Sequence, residues 1–421
     1  MVRQKWRVFA LRHVPALFLR FVPGRTPIPQ PVARASATPA SGGELPYDRR
    51  LSNDSLEIRM TTHSLFEAFP MGAITLSNRL VMNPMTRCRA DAAGVANPLM
   101  AEYYGQRASA GLIVTEGIAP SPNGKGYARI PGLWSAAQVD AWKGVTSAVH
   151  AKGGKIFAQL MHTGRVSHPA NMAADAQIVA PSALVLPGQM YTDALGMQDH
   201  PVPHAMSEAD ITQARAEFVQ AARNAVAAGF DGVELHAANG YLLEQFLSPH
   251  TNQRTDAWGG SVDNRLRFVL DVARETAAAI GGDKVGIRIS PYGTNSGMEA
   301  YPEVEESYLR LLRHLADAGL VYVHLVDHAA MGAPVVPLPF KQALRKAWPR
   351  TFFIGGSFDA ASGQKAIDDG LTDLVGLGRA FLANPDLVER LSKGLALNVA
   401  DGNTFFTADA KGYTDYPAVQ V

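Results

Sequence analysis

The chain has 421 residues, of which 47% are hydrophobic and 18% are charged, and its formal net charge is +1. This length suits one elaborated barrel or two modest domains, and the small net charge argues against a nucleic-acid or membrane-surface partner. The single cysteine, Cys88, excludes an internal disulfide, a four-thiolate zinc site and a cysteine-ligated iron–sulfur cluster. No apolar run reaches the roughly 18 residues that a membrane helix needs.

The first sixty residues differ in composition from the rest. Only basic charges precede the first acidic residue, Glu44, and the stretch is rich in proline, alanine, glycine and serine. Such a segment buries too little apolar surface to offset its ordering entropy. It is either an organelle-targeting leader or the product of a mis-assigned start, with translation beginning near Met60. We therefore expect a disordered extension over 1–62 and one folded domain over 63–421, cytoplasmic unless the leader is genuine.

From about residue 65 onwards, short apolar runs alternate with longer stretches of helical spacing. Strands that are apolar on both faces and separated by helices are typical of a parallel sheet. Eight of them favour a closed (β/α)₈ TIM barrel over a doubly wound sheet, which would show a Gly-x-Gly-x-x-Gly turn after its first strand. The predicted strands are 79–84, 111–116, 155–160, 230–235, 284–289, 320–325, 351–355 and 371–376. The predicted helices are 135–151, 207–228, 264–280, 304–318 and 360–369.

One connection, over residues 161–206, is unusually long, is rich in proline and shows no clear helix. It follows the third predicted strand and so leaves the barrel at the end where active sites form. Connections of this length inside a compact domain are usually lids or caps. We therefore expect an insertion that covers the pocket.

The fourth predicted strand leads directly into His236, Asn239 and Tyr241. Two neutral hydrogen-bond donors and a phenol at this end of a barrel suit the binding of an oxygen that gains negative charge and the protonation of its neighbouring carbon. We expect no metal here, because acidic partners are missing nearby and Glu234 is expected to face away from His236. The alternatives are a structural His–Asn pair and simple aromatic packing of Tyr241.

Two further polar side chains interrupt apolar strands. A buried arginine such as Arg288 needs a partner, which is either Glu234 or Glu116 or a ligand that is anionic in its reduced form. Gln159, at the end of the third strand, is either a satisfied core amide or a ligand contact at the top of the barrel.

Glycine-rich turns follow the last two strands, with Gly356-Ser357 after the seventh and Gly378-Arg379 after the eighth. Such turns commonly bind a phosphate in this architecture through backbone N–H groups and a helix N-terminus. Arg379 adds a cation that can bind a phosphate in bidentate fashion. An ordinary pair of turns is the alternative.

Segments between residues 65 and 417 together resemble the Old Yellow Enzyme family of flavin-dependent alkene reductases, and their order and spacing are highly specific. The matching segments are 78–87, 103–111, 125–127, 159–165, 248–256, 259–265, 378–386 and 412–417. The resemblance implies non-covalently bound FMN that takes hydride from NADPH and passes it to the β-carbon of an electron-poor alkene. Unsaturated carbonyl compounds, nitroalkenes and maleimides are the implied substrates, and the implied assembly is a monomer or a homodimer.

The resemblance also assigns a role to each site residue. His236 and Asn239 would hold the carbonyl or nitro oxygen, and Tyr241 would protonate the α-carbon. Tyr127 and Tyr413 would line the substrate face. The implied flavin contacts are Thr86 near N5, Gln159 and Arg288 at the pyrimidine edge, the backbones of Pro84, Met85 and Gly117, and, around the phosphate, Gly356, Ser357, Gly378 and Arg379.

Two positions bear on the branch of the family. One branch carries cysteine where this chain has Thr86, and that branch is disfavoured. Met161 stands where close relatives often have tryptophan, so the size and stereochemical preference of the pocket do not follow from the resemblance.

Two other functional classes compete. A cofactor-free barrel lyase or isomerase acting on a phosphorylated substrate would normally show a lysine or carboxylate at a strand end, and Glu116 is a poor sole candidate. A non-catalytic flavin-binding protein would have no need for His236, Asn239 and Tyr241 together.

Overall fold

The structure is a computed structural model that describes residues 64–329 and 332–419. The expected extension over 1–62 lies outside the described residues, so its boundary with the folded domain stays a prediction. In the part of the chain that is described, no helix is long and apolar enough to cross a membrane.

Eight parallel strands close into a barrel, in which each strand pairs with the next one along the chain and the last pairs with the first. This closure confirms the (β/α)₈ prediction and rules out the doubly wound sheet. Each predicted run contains or overlaps one strand. The strands are β1 (Leu80–Met82), β2 (Leu112–Ile118), β3 (Ile156–Leu160), β4 (Gly232–Ala237), β5 (Val285–Ile289), β6 (Tyr322–Val326), β7 (Thr351–Gly355) and β8 (Leu374–Leu377).

All five predicted helices are present, and their starts have local causes. Ser135, Ser207 and Asp359 each accept a hydrogen bond from the backbone three residues later and complete a capping box. Two helices of nine residues or more, Pro98–Gln106 and Leu338–Ala347, were not predicted from the sequence. The helices are α1 (Pro98–Gln106), α2 (Ala136–His150), α3 (Glu208–Ala227), α4 (Leu242–Leu247), α5 (Val262–Ile280), α6 (Val304–Asp317), α7 (Leu338–Ala347), α8 (Ala360–Asp368), α9 (Arg379–Ala383) and α10 (Leu387–Lys393).

An antiparallel hairpin of Phe69–Met71 and Ile74–Leu76 precedes the barrel. Its buried side chains share one apolar cluster with Phe157, Tyr322 and other residues that line the strands. The hairpin therefore packs against the apolar interior of the barrel. The polar strand ends lie opposite, at the carboxyl termini.

The strand register places polar residues of neighbouring strands side by side, at two heights along the barrel axis. Arg288 is the Cα partner of both His236 and His324, and Glu234 is the partner of Gln159. Glu234 and His236 are two residues apart on one strand, so both side chains point to the same side. The expectation that Glu234 faces away from His236 was therefore wrong.

The long connection after β3 contains no α-helix, as predicted, but it has order of its own. Val179–Ala180 pairs with His204–Ala205, and Gln189–Thr192 forms an antiparallel hairpin with Gly196–Asp199. Its side chains Val166, Leu186 and Met190 form a buried cluster against which Tyr127 and Tyr241 pack. The insertion therefore covers the residues that follow β4, which confirms the predicted cap.

Candidate active site

The turn after β4 is held in an uncommon backbone conformation. Asn239 has φ of 59° and Gly240 has φ of 76°, and asparagine is among the few residues that tolerate this left-handed region. The Asn239 N–H donates to Ser290 Oγ at 2.8 Å, and the Gly240 N–H donates to Glu244 Oε2 at 2.7 Å. Ser290 and Tyr308 also donate to Glu244. One buried carboxyl group therefore fixes the turn that carries Asn239.

His236 presents a donor, and its surroundings fix which nitrogen carries the proton. The Ala238 N–H donates to His236 Nδ1 at 3.3 Å, so the hydrogen of the neutral ring lies on Nε2. Burial, followed by the positive charge of Arg288, lowers the pKa of His236 well below its ordinary value. His236 is therefore a neutral Nε2–H donor at physiological pH.

Asn239 supplies the second donor. Its Nδ2 lies 3.5 Å from His236 Nε2, and its Oδ1 lies 3.1 Å from His328 Nε2. Two donors cannot satisfy each other, but both can bind one negatively charged oxygen placed between them. The arrangement favours this interpretation over a structural His–Asn pair.

Tyr241 lies beside these two donors. Its ring is 4.9 Å from that of His236, and its hydroxyl oxygen is 3.0 Å from that of Tyr127. Burial raises the pKa of both phenols, so both keep their protons at neutral pH. Tyr127 and Tyr241 are therefore in direct contact, while their roles in the site stay predictions.

A network around Glu234 lies in the barrel interior. Gln159 donates to Glu234 Oε1 at 2.7 Å, and His324 Nδ1 and the Tyr322 hydroxyl contact Oε2 at 3.0 and 3.1 Å. Burial opposes ionisation of Glu234, but His324 and Arg288 outweigh it and lower its pKa. Gln159 is therefore oriented by an ionised carboxylate, and among the described residues its side chain is bonded through Nε2, which leaves its oxygen available to a ligand.

Arg288 has unused hydrogen-bonding capacity. Within the described residues it makes no ion pair shorter than 4.0 Å, and its buried Nε has no hydrogen-bond partner. Asn83 Oδ1, at the end of β1, is also buried without a partner. Since an unsatisfied buried polar atom costs about 1–3 kcal/mol, these two atoms are suited to hydrogen bonding with a polar ligand. The alternative of an ion pair from Arg288 to Glu234 or Glu116 is not favoured, although Glu234 acts on it at longer range.

The loop after β1 and the end of β2 lie together. Arg87 N–H donates to Glu116 Oε2 at 3.3 Å, which ties the segment of Pro84, Met85 and Thr86 to β2. Burial raises the pKa of the Glu116 carboxyl group to about 7.

Met161 packs closely against Gly117. A Cβ atom at Gly117 would lie 2.4 Å from Met161 Sδ. Met161 itself is buried beside Cys88. Met161 therefore fills the space beside Gly117.

The glycine turns lie on neighbouring strands. Gly355 of β7 is the Cα partner of Gly376 of β8, so the turns that follow them are adjacent. Gly356 and Gly378 are half-buried, whereas Ser357 and Arg379 are exposed. The four predicted phosphate contacts therefore share one edge of the barrel mouth.

The prediction that Tyr413 lines the substrate face was wrong. Its side chain has no exposed surface, and its ring stacks on that of Tyr103 at 4.0 Å. The guanidinium groups of Arg87 and Arg89 lie over the same ring, at 5.1 and 4.7 Å. A side chain enclosed in this way cannot contact a substrate, and it instead anchors the C-terminal segment.

Three residues that contact the site were not predicted from the sequence, namely His324, Glu244 and His328. His324 interrupts an apolar strand just as Arg288 does, and that signal was available. Glu244 and His328 carry no comparable local signal, because their partners come from the fold.

Comparisons with known proteins identify the family of the chain. The profile of the NADH:flavin oxidoreductase / NADH oxidase family matches residues 64–398. Chanoclavine-I aldehyde reductase fgaOx3 of Penicillium roqueforti (strain FM164) is 44% identical over 366 residues, covering 84% of this chain and 95% of that protein. A probable flavin mononucleotide-dependent alkene reductase of Leishmania infantum is 40% identical over 354 residues, covering 82% and 95%.

Among solved structures, morphinone reductase matches with a TM-score of 0.82 at 40% identity, covering 86% of this chain and 98% of that one. Fold and relatives define an FMN-dependent barrel oxidoreductase of the alkene-reductase class. The chain belongs to the NADH:flavin oxidoreductase / NADH oxidase family and is an Old Yellow Enzyme family member.

Proposed function

We propose that this protein transfers hydride from NADPH, through FMN, to the β-carbon of electron-poor alkenes, and that Tyr241 protonates the α-carbon. The observation that carries the proposal is the pair of N–H donors at His236 and Asn239, set beside the Tyr241 phenol. Neither of the competing classes requires this combination.

The residues at the barrel mouth fit FMN. The unpartnered Nε of Arg288 and the free oxygen of Gln159 suit the polar pyrimidine edge of a flavin. When bound, FMN accepts hydride from the nicotinamide and supplies it to the alkene. The remaining contacts that we propose are Pro84, Met85, Thr86 and Gly117 around the ring system, and Gly356, Ser357, Gly378 and Arg379 around the phosphate.

His236 and Asn239 would bind the carbonyl or nitro oxygen of the substrate. Negative charge grows on this oxygen as hydride reaches the β-carbon, and the two preorganised N–H groups stabilise it. Removing a single donor of this kind typically slows a reaction by about 10²–10³-fold. The neutral His236 ring suits this task, because its Nδ1 is held as an acceptor by the Ala238 N–H.

Tyr241 would then donate its proton to the α-carbon. Its raised pKa keeps the phenol protonated until the carbanion forms. The hydrogen bond with Tyr127 and the charge of Arg288 both favour the resulting phenolate. Burial has the larger effect on the pKa, so the donor is intact before the reaction, and these two contacts offset part of the cost of the phenolate after it. Tyr127 would also line the substrate face.

The cap supplies an apolar wall of Val166, Leu186 and Met190 above Tyr127 and Tyr241. Such a wall suits small α,β-unsaturated carbonyl compounds, nitroalkenes and maleimides, whose single polar end would lie at His236. It also excludes water from the protonation step.

The test is to mix the FMN-loaded protein anaerobically with NADPH, follow its visible absorption, and then add cyclohexenone. We expect the yellow colour to bleach and then to return. A protein that failed to bind FMN, or one whose colour never returned with any activated alkene, would contradict the proposal. A parallel run with NADH separates the choice of nicotinamide from the choice of alkene.

A further inference from the structure

His328 contacts Asn239 from the side opposite His236. It lies two residues beyond the end of β6, and it is half-buried. Its Nε2 is 3.1 Å from Asn239 Oδ1, while Asn295 Nδ2 reaches the same oxygen at 3.5 Å. The amide oxygen of Asn239 thus meets two side-chain nitrogens on the face away from His236.

These contacts decide which way the Asn239 amide points. If the amide were turned over, its Nδ2 would oppose the Nδ2 of Asn295, and two donors would meet without an acceptor. With Oδ1 toward Asn295, His328 must donate from Nε2. Burial and the charge of Arg288 lower the pKa of His328 to about 4, so its ring is neutral and has one N–H to donate.

We propose that His328 is a positioning residue that locks the Asn239 amide with its N–H groups facing the substrate oxygen. This inference rests on the proposed function, in which Asn239 is an oxygen-binding donor. Since the Nε2–H of His328 is used by Asn239, His328 acts through that residue and does not itself bind the substrate oxygen.

The amide torsion is the degree of freedom that His328 controls. The backbone of Asn239 is held independently by Ser290 and Glu244, but the terminal torsion of an asparagine is broad and roughly two-fold. Asn295 alone is a weak restraint, because it is exposed and its contact is long. Without His328, the amide can present its oxygen to the substrate and repel it.

The test is a titration of FMN-loaded protein with 4-chlorophenol, whose phenolate oxygen imitates the charged oxygen of the reaction. We expect His328→Leu to raise the Kd about tenfold, which is the size of one hydrogen bond to a charged group. His328→Gln retains an N–H donor and should restore most of the affinity. An exposed histidine of α6, His314, gives the control variant His314→Leu, which should bind like the wild type.

The decisive comparison adds Asn239→Gly, which removes the side chain while tolerating the positive φ. If His328 acts through Asn239, His328→Leu should cause no further weakening in the Asn239→Gly background. Equal weakening in both backgrounds, or an unchanged Kd in His328→Leu alone, would overturn the inference. Failure of the wild type to bind 4-chlorophenol would instead overturn the proposed function itself.

Discussion

The two ends of the barrel are built from the same strands in opposite ways. At the amino-terminal end, glycines make room for rings: a Cβ at Gly232 would lie 2.5 Å from the Phe157 ring, and one at Gly286 would lie 2.2 Å from that of Tyr322. At the carboxyl-terminal end, Arg288 Nε and Asn83 Oδ1 are buried and have no hydrogen-bond partner in the described part of the chain. Close packing stabilises the amino-terminal end, whereas the carboxyl-terminal end keeps hydrogen-bonding groups available for ligands.

This comparison predicts that changes at the two ends have separable effects. Substitutions at the carboxyl-terminal end, which we call the polar end, should change reaction rates, ligand affinity or the pH dependence of stability. Substitutions at the amino-terminal end, which we call the apolar end, should change the free energy of unfolding and leave the chemistry of the folded protein intact.

Tyr241→Phe should slow alkene reduction by about 10²-fold or more, because it removes the proton donor and keeps the ring. Reduction of the bound FMN by NADPH should be unchanged. Stopped-flow absorption resolves the two half-reactions. The control is Tyr191→Phe, at a tyrosine that is 52% exposed on the cap hairpin. Unchanged alkene reduction in Tyr241→Phe would remove Tyr241 as the donor.

Glu244 should make the stability of the polar end depend on pH. Burial raises its pKa from 4.5 to about 7, so the folded state keeps a proton that the unfolded state loses. The stability of the wild type relative to Glu244→Gln is then full below about pH 4.5 and falls by about 3 kcal/mol as the pH rises through about 7. Urea unfolding of both proteins across this range measures the difference. A difference that did not change with pH would show that Glu244 ionises alike in both states.

Gly232→Ala should destabilise the apolar end by about 1–3 kcal/mol, because the added methyl group overlaps the Phe157 ring and the Lys284 carbonyl oxygen. The control is Gly144→Ala in α2, where a Cβ meets nothing within 4 Å and helix propensity predicts a stabilisation of about 0.5–1 kcal/mol. Urea unfolding measures both. Loss of alkene reduction from folded Gly232→Ala protein would contradict the separation of the two ends.

Much of the apolar framework could be predicted from the sequence. The eight strands were found because a strand buried on both faces is a continuous apolar run, and five helices were found through their spacing and caps. Helix α1 was missed although Asn97 and Pro98 form a good start, since its apolar residues do not form a clear stripe. The orientation of Glu234 was missed although the two-residue period of a strand places it on the side of His236.

The polar end was predictable only in part. His236, Asn239 and Tyr241 lie close together in sequence, so one strand end revealed them. The contact between His328 and Asn239 joins residues 89 positions apart, and no local pattern indicates it. The burial of Tyr413 has the same origin, because Tyr103, Arg87 and Arg89 reach it from a distant part of the chain.

His236 and Asn239 are proposed to bind one charged oxygen together. The most direct test is the Kd of 4-chlorophenol for the FMN-loaded wild type and for the double variant His236→Ala, Asn239→Gly. Loss of two hydrogen bonds to a charged group predicts a Kd at least about 10²-fold higher in the double variant. Equal affinity in two proteins that both retain FMN would contradict the claim.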